Sequence, residues 1–161
     1  MDRQTALGFI QGHEGRRNSV YNDSEGIPTI GVGFNLQKAG AQQSIEALGV
    51  DYSQLLAGTV SLTDPQIDTL FNADLDTAMA DAAQRVQGFW NLPDNAQLAV
   101  VDMVFNLGGP RFSGFVNFIA ALSATPPDYL TAAVQMGDSQ WARQVPNRAA
   151  DDIALVRGCA T

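Results

Sequence analysis

The sequence predicts an α+β fold in which a small N-terminal β-sheet joins a larger set of helices. Apolar residues recur at helical spacing through most of the 161 residues. Residues 19–35 differ from this pattern, because a cluster of turn residues there leads into an extended run. Hydrophobic residues make up 45% of the chain and charged residues only 16%, so the chain can bury a core.

The first element is an amphipathic helix that ends before Gly15. Leu7, Ile10 and Glu14 fall at positions i, i+3 and i+7, which places them on one face. Glu14 therefore continues an apolar stripe, where carboxylates are unusual. Gly15 is a typical stop signal for a helix.

The segment after this helix predicts a hairpin or a three-stranded sheet. Turn residues at 22–26 precede an extended run over 27–34, which we interpret as a strand. Gly31 and Gly33 alternate on one face of that strand. Their missing side chains predict a close approach by another part of the chain.

A long helix is predicted over about 63–86. Thr63 and Gln66 have the spacing of a capping box, in which each residue bonds the backbone of the other. Asp94 and Gln97 repeat this spacing and predict a second N-cap. The helix that follows Asp94 is apolar almost all round and should be buried.

The remainder of the chain predicts short helices after a stop at Gly108-Gly109-Pro110. They are expected around 115–122, 128–136, 138–144 and 147–156. We expect one domain, 1–161. Its N-terminal lobe covers about 12–62, its interlobe helix about 63–86, and its helical lobe about 87–161 together with a first helix at 1–12. A cleft between the lobes is the expected binding site.

The charge and composition exclude several functions. A formal net charge of −8 repels phosphates, so nucleic acid is not an expected partner. One histidine and one cysteine are too few for a usual zinc site, and no metal is expected. No apolar run is long enough to span a bilayer, and no secretory signal is visible. We expect a soluble protein that starts in a bacterial cytoplasm and needs help, such as a holin, to leave it.

Two carboxylates near the N-terminus form a candidate catalytic pair. Glu14 and Asp23 lie nine positions apart, at a helix end and in the following turn. Cleavage of a glycosidic bond needs an acid and a second carboxylate. Desolvation at an apolar helix edge would help Glu14 keep its proton, whereas Asp23 in a polar turn would stay ionised. Spacing alone does not distinguish a catalytic pair from two unrelated carboxylates among the 17 acidic residues. It also does not distinguish a functional Thr29, six positions after Asp23, from an ordinary strand residue.

The run EGRRNSVYNDSEGIPTIGVG, from Glu14 to Gly33, resembles the active-site signature of phage-type lysozymes, the muramidases of glycoside hydrolase family 24. Further blocks at 70–74, 102–108 and 141–149 resemble other segments of that family in the same order. The resemblance covers almost the whole chain. It implies a lysozyme-like fold with an active-site cleft and no metal or organic cofactor.

The resemblance also implies roles for individual residues. Glu14 falls on the proton donor, Asp23 on the second carboxylate and Thr29 on the residue that helps place the attacking water. Arg148 falls on a basic residue that pairs with the catalytic glutamate and orients it. The positions where the family contacts sugar rings are Gly33, Asn35, Phe105, Phe118 and Gln135, the last two with residue types that differ from the usual ones.

The sequence departs from the family at Phe34. A histidine is common there, and its loss predicts that Asp74 lacks an ion pair and that Phe34 packs in the core. Trp90 and Trp141 lie in apolar, helical surroundings, so we expect both to pack in the core rather than to stack on sugars.

The resulting expectation is a muramidase that hydrolyses the β-1,4 bond between N-acetylmuramic acid and N-acetylglucosamine. It would act as a monomer on peptidoglycan glycan strands without inserting into a membrane, with inversion at the cleaved carbon. Two alternatives stay open. A lytic transglycosylase cuts the same bond with one acidic residue and no water, and a catalytically silent module would only bind peptidoglycan.

Overall fold

The computed structural model describes residues 1–160 and has the predicted α+β architecture. Its strands are β1 (Arg17–Asn22), β2 (Pro28–Gly31) and β3 (Phe34–Asn35). Its helices are α1 (Arg3–Glu14), α2 (Ala41–Ala47), α3 (Tyr52–Leu56), α4 (Asp64–Arg85), α5 (Asp94–Leu107), α6 (Gly109–Phe112), α7 (Val116–Ser123), α8 (Tyr129–Gly137), α9 (Gln140–Gln144) and α10 (Pro146–Arg157). No helix among residues 1–160 is long and apolar enough to cross a membrane.

The chain divides into two compact units. One unit, the sheet unit, contains Gln11–Asp74 and therefore all three strands. The other, the helical unit, contains Met1–Ile10 and the chain from Leu75 onward. The predicted helices over 63–86 and after residue 114 are confirmed, with ends that differ by one or two residues.

The sheet is antiparallel with the order β1-β2-β3. The single strand predicted over 27–34 is wrong, because the chain turns between Gly31 and Gly33. Gly31 has φ 63° and Gly33 has φ 65°, which is left-handed backbone that interrupts a strand. The predicted run is therefore divided between β2 and β3, and the three-stranded sheet, one of the two predicted arrangements, is confirmed.

Helix α4 begins with the predicted capping box. The Thr63 N–H donates to Gln66 Oε1 at 2.9 Å, and the Gln66 N–H donates to Thr63 Oγ1 at 3.3 Å. Each side chain satisfies a backbone donor that the first helical turn leaves without a partner. This reciprocal pair fixes where α4 begins.

The predicted N-cap at Asp94 is wrong. Helix α5 already includes Asp94, its N-cap residue is Pro93, and no side chain caps it. Asp94 Oδ1 instead accepts from the N-terminal ammonium of Met1 at 2.6 Å. The Gln97 amide donates to the Leu92 carbonyl at 2.8 Å. As expected, α5 is buried over most of its length, including ten of its 14 residues.

Asp74 has an ion-pair partner, contrary to expectation. The Lys38 ammonium lies 2.6 Å from Asp74 Oδ1 and 4.0 Å from the centroid of the Phe34 ring. Phe34 is buried, as predicted for a packing residue. A lysine four residues further along the chain therefore supplies the positive charge, and Phe34 adds a cation–π contact to it.

The two tryptophans differ in environment. Trp141 is buried, as predicted, and its indole N–H donates to Asn106 Oδ1 at 2.8 Å. The prediction for Trp90 is wrong, because its side chain is 60% exposed. A short 3₁₀ turn over Phe89–Asn91 buries Phe89 and leaves Trp90 on the surface, in edge contact with the Phe89 ring.

Candidate active site

Glu14 is the last residue of α1 and its side chain is half-buried. The backbone of Gly33 packs directly against its carboxyl group. A Cβ atom added to Gly33 would lie 2.7 Å from Glu14 Oε2 and 3.0 Å from Glu14 Cδ. At Gly31 the corresponding neighbour is Ile67, 3.2 Å away. The predicted close approach at both glycines is confirmed, and at Gly33 the approaching group is the candidate acid.

Asp23 follows β1 in a tight turn that the backbone closes around its carboxylate. Asp23 Oδ1 accepts from the Glu25 N–H at 2.8 Å and from the Ile27 N–H at 2.9 Å. The Asp23 N–H donates in turn to the Ile27 carbonyl at 3.0 Å. Because both side-chain bonds use Oδ1, they fix the carboxylate while Oδ2 keeps its capacity to accept.

Thr29 is buried on β2 and is tied to the backbone of the same residue, Ile27. Its hydroxyl donates to the Ile27 carbonyl at 2.9 Å. A hydroxyl that donates its one hydrogen still has oxygen lone pairs with which to accept. The backbone of Ile27 therefore holds Asp23 through its N–H and Thr29 through its carbonyl. Sequence reasoning gave Ile27 no role, although Asp23 in a turn is a known signal for such side-chain-to-backbone bonds.

A row of polar side chains crosses the sheet next to Asp23. Tyr21 on β1 lies opposite Thr29 on β2, and Thr29 lies opposite Asn35 on β3. Paired residues in an antiparallel sheet point to the same face, so these three side chains share one. Asn35 Oδ1 accepts from the Gln37 N–H at 2.7 Å, which fixes the amide at the end of the row.

Tyr21 is a site residue that sequence reasoning missed. Burial and then the negative charge of Glu14 raise the pKa of its phenol, the Arg17 charge opposes this, and Asp23 adds to it. The Arg17 guanidinium lies 4.6 Å from the centroid of the Tyr21 ring. The Tyr21 phenol is therefore within electrostatic reach of both candidate carboxylates.

Arg16 anchors the segment between Glu14 and β1. Its guanidinium donates to Asp68 Oδ1 at 2.8 Å and to the Asp64 carbonyl at 3.1 Å. Both partners lie in the first turns of α4. These bonds hold the chain that leaves Glu14 against α4 in the sheet unit.

Arg148 is buried in the helical unit and binds Asp102 in a two-pronged ion pair. Its Nε donates to Asp102 Oδ2 at 2.7 Å, and its Nη2 donates to Oδ1 at 2.8 Å. Nη2 also contacts the Asp102 carbonyl at 3.3 Å. The predicted pairing of Arg148 with Glu14 stays a prediction.

The remaining predicted sugar contacts lie in the helical unit. Phe118 and Gln135 line one pocket of about 290 Å³, together with Trp141. Phe118 is 1% exposed, so it packs beneath the pocket, whereas Gln135 is half-buried. Phe105 on α5 is also half-buried. Their contacts with sugar stay predictions. Among residues 1–160, no group of three or more His, Cys, Asp or Glu side chains is placed to hold a metal ion.

Comparison with known proteins places the chain in a family. The family described as phage lysozyme matches residues 11–151. The chain is 30% identical over 148 residues to the pre-baseplate central spike protein Gp5 of Enterobacteria phage T4. The aligned region covers 88% of this chain and 25% of that protein. The chain thus spans about a quarter of that relative's length.

Two relatives of similar length come from Dictyostelium discoideum. Probable T4-type lysozyme 2 is 27% identical over 146 residues, covering 84% of this chain and 83% of that protein. Probable T4-type lysozyme 1 is 24% identical over 151 residues, covering 89% and 88%. Because the family match takes in most of the sequence, including Glu14, Asp23 and Thr29, the chain belongs to the phage lysozyme family.

Proposed function

We propose that this protein is a muramidase that hydrolyses the β-1,4 bond between N-acetylmuramic acid and N-acetylglucosamine in peptidoglycan. The observation that carries the proposal is the arrangement around Ile27. Its N–H bonds the Asp23 carboxylate at 2.9 Å, and its carbonyl accepts from the Thr29 hydroxyl at 2.9 Å. A carboxylate and a hydroxyl held by the backbone of one residue suit the capture of a water molecule.

In the proposed mechanism, Glu14 protonates the oxygen of the leaving sugar. A water molecule donates one hydrogen to Asp23 and the other to Thr29 Oγ1, which turns its lone pair toward the sugar carbon. As the water attacks, Asp23 accepts its proton as general base. Attack by water from the face opposite the leaving group inverts the configuration at the carbon.

Residues outside the sheet unit have supporting roles in the proposal. Arg148 orients Glu14 and does not itself react. Phe105, Phe118 and Gln135 contribute to sugar binding, as do Gly33 and Asn35 in the sheet unit. The protein acts as a monomer on glycan strands, and it reaches the wall from the bacterial cytoplasm with the help of a pore such as a holin.

The two alternatives make different demands on the site. A lytic transglycosylase forms an anhydro-sugar without water, so it does not need Asp23 and Thr29 held by the backbone of one residue. A silent binding module has no use for a glycine that makes room for a carboxyl group. The first feature favours hydrolysis over transglycosylation, and the second favours a catalytic protein over a silent module.

One experiment separates the three functions. Purified protein is added to bacteria with a permeabilised outer membrane, turbidity is followed, and the soluble sugars are identified by mass spectrometry. We expect clearing, with muramic acid products that carry the elements of water at their reducing ends. Anhydro-muramic products would establish a transglycosylase, and binding to walls without clearing would establish a silent module.

Gly33→Ala is expected to lower lytic activity about 10²-fold, since a misplacement of about 1 Å at a reacting group has an effect of that order. The new Cβ would lie 2.7 Å from Glu14 Oε2, so the carboxyl group must move. The lytic rate per folded molecule is the quantity to measure.

Gly31→Ala is the matched control for this variant. Both glycines have a left-handed φ, 63° at Gly31 and 65° at Gly33, so each alanine introduces a similar backbone strain of about 1–2 kcal/mol. The Cβ at Gly31 meets Ile67 in place of Glu14. Equal losses of activity in the two variants would show that strain, and not displacement of Glu14, causes the effect.

A further inference from the structure

Two buried carboxyl groups share one arginine in the helical unit. Asp102 and Asp152 are each 0% exposed, and Arg148 is 6% exposed. Arg148 directs Nε and Nη2 to the two carboxylate oxygens of Asp102, at 2.7 and 2.8 Å. The guanidinium therefore neutralises Asp102, and Asp152 adds a second carboxyl group to the same buried cluster.

Asp152 receives no hydrogen-bond donor. Within the part of the chain that the structure describes, neither Oδ1 nor Oδ2 of Asp152 has a hydrogen-bond partner. A buried, ionised carboxylate without donors is strongly disfavoured. Asp152 lies one helical turn from Arg148 on α10, and α10 packs on α5, which carries Asp102, but two ionised carboxylates offer each other only acceptors. A bond between them forms only when one of the two carries a proton.

We propose that Asp102 and Asp152 share one proton, so that Asp152 is a neutral positioning residue that donates to Asp102 and thereby holds Arg148 in place. The cluster then carries one negative and one positive charge at neutral pH. A second negative charge on Asp152 would compete with Asp102 for the guanidinium and loosen its two-pronged bond.

The electrostatics of the cluster agree with a protonated Asp152. Burial and then the charge of Asp102 raise the pKa of Asp152 well above its ordinary value, a smaller lowering comes from Arg148, and Asp151 adds a further small increase. Helix α10 also packs on α8 and α9, which carry Tyr129 and Arg143, but the charges that shift the pKa of Asp152 are those of Asp102, Arg148 and Asp151. The shared proton is therefore a property of the Asp102–Asp152 pair.

The direct test is infrared spectroscopy of the whole protein in D₂O at neutral pH, which detects the carbonyl stretch of a protonated carboxylic acid. The spectrum of wild type minus that of Asp152→Asn should contain this band. Asp151→Asn, an exposed neighbour, is the control and should retain the band. A difference spectrum without the band would show that Asp152 is ionised and would overturn the proposal.

A second variant tests the sharing itself. Asp102→Asn removes the charge that Arg148 now neutralises, so the guanidinium becomes available to Asp152. We expect Asp152 to ionise and its band to disappear. A band that persists unchanged in Asp102→Asn would show that burial alone keeps the proton on Asp152, and the shared-proton proposal would be wrong.

Stability and activity give readouts that depend on pH. A raised pKa in the folded state means that stability falls as pH rises, from the unfolded value of about 4 up to the folded value. Asp152→Asn donates at every pH, so its melting temperature should exceed that of wild type increasingly through this window. A constant difference would contradict the linkage.

The activity test rests on the proposed function, whereas the infrared test does not. If Asp152 positions Arg148 for the reaction, the alkaline decline of lytic activity should move to higher pH in Asp152→Asn. If the infrared band is present but the pH dependence of lytic activity does not move, Asp152 has no positioning role in the reaction. If the wild-type protein has no lytic activity at any pH, the result counts against the muramidase proposal and not against the shared proton.

Discussion

Glu14→Gln is expected to lose lytic activity by ~10²–10⁴-fold, the usual contribution of general acid catalysis. Glutamine has the shape of glutamate and fits the space beside Gly33, so the fold should persist. An amide does not supply the proton that the leaving sugar oxygen needs. The measurement is the rate of wall hydrolysis by purified protein whose melting temperature matches that of wild type.

Glu46→Gln is the matched control for this experiment. It makes the same chemical change at an exposed position on α2, where the Glu46 carboxylate accepts from Gln42 at 2.8 Å. We expect Glu46→Gln to retain full activity. Near wild-type activity in Glu14→Gln would show that the acid has been assigned to the wrong residue.

The largest effect on stability is expected from Arg148→Ala. This change removes the guanidinium that binds Asp102 through Nε and Nη2 and leaves a fully buried carboxylate without its counter-charge. Breaking one side of a buried ion pair costs about 3–5 kcal/mol. The melting temperature should therefore fall by roughly 10 °C for a chain of this length. Lytic activity should fall but not disappear, because Arg148 supports the reaction and does not itself react.

Arg143→Ala controls for the loss of an arginine as such. Arg143 is exposed on α9 and donates a long bond of 3.3 Å to the Asp138 carbonyl, so we expect a small change. The double variant Arg148→Ala/Asp102→Ala should lose less stability than the sum of the two single variants, because the second change removes the stranded charge. Additive losses of stability would contradict the stranded charge, and an Arg148→Ala variant with the melting temperature and activity of wild type would refute the supporting role.

The sequence predicts the fold well where local signals are strong. The spacing of Leu7, Ile10 and Glu14 predicts α1, and the Thr63–Gln66 pair predicts the start of α4 within one residue. These signals are local, since a helix face and a cap depend on residues three to seven positions apart. The same reasoning puts Glu14 at a helix end.

Some features that the sequence does not predict have long-range causes. Asp94 has the spacing of a cap, but the ammonium group of Met1, 93 positions away in the sequence, takes its carboxylate. Arg148 and Asp152 have the i, i+4 spacing of an ordinary surface pair on a helix. Helix α5 packs over them and supplies Asp102, which turns a surface pattern into a buried cluster. No local pattern contains that information.

The candidate site was only partly predictable for the same reason. The residue pattern indicates Asp23 and the resemblance adds Thr29, but their link through Ile27 depends on the turn that closes between β1 and β2. Tyr21 lies within the recognised run, and its place opposite Thr29 follows from strand register. Register is set by the turn and by burial together, so the sequence alone left Tyr21 without a role.

The anomeric configuration of the first product tests the central proposal most directly. Retaining glycosidases hold their carboxyl groups about 5–5.5 Å apart and attack the sugar with one of them, whereas inverting enzymes leave about 6.5–9.5 Å for a water molecule. The bonds that the Ile27 backbone makes to Asp23 and Thr29 suit a bound water. NMR of the nascent reducing end, recorded before mutarotation, should therefore show the α anomer. A β anomer, or a sugar trapped on Asp23, would contradict hydrolysis by a water that Asp23 and Thr29 position.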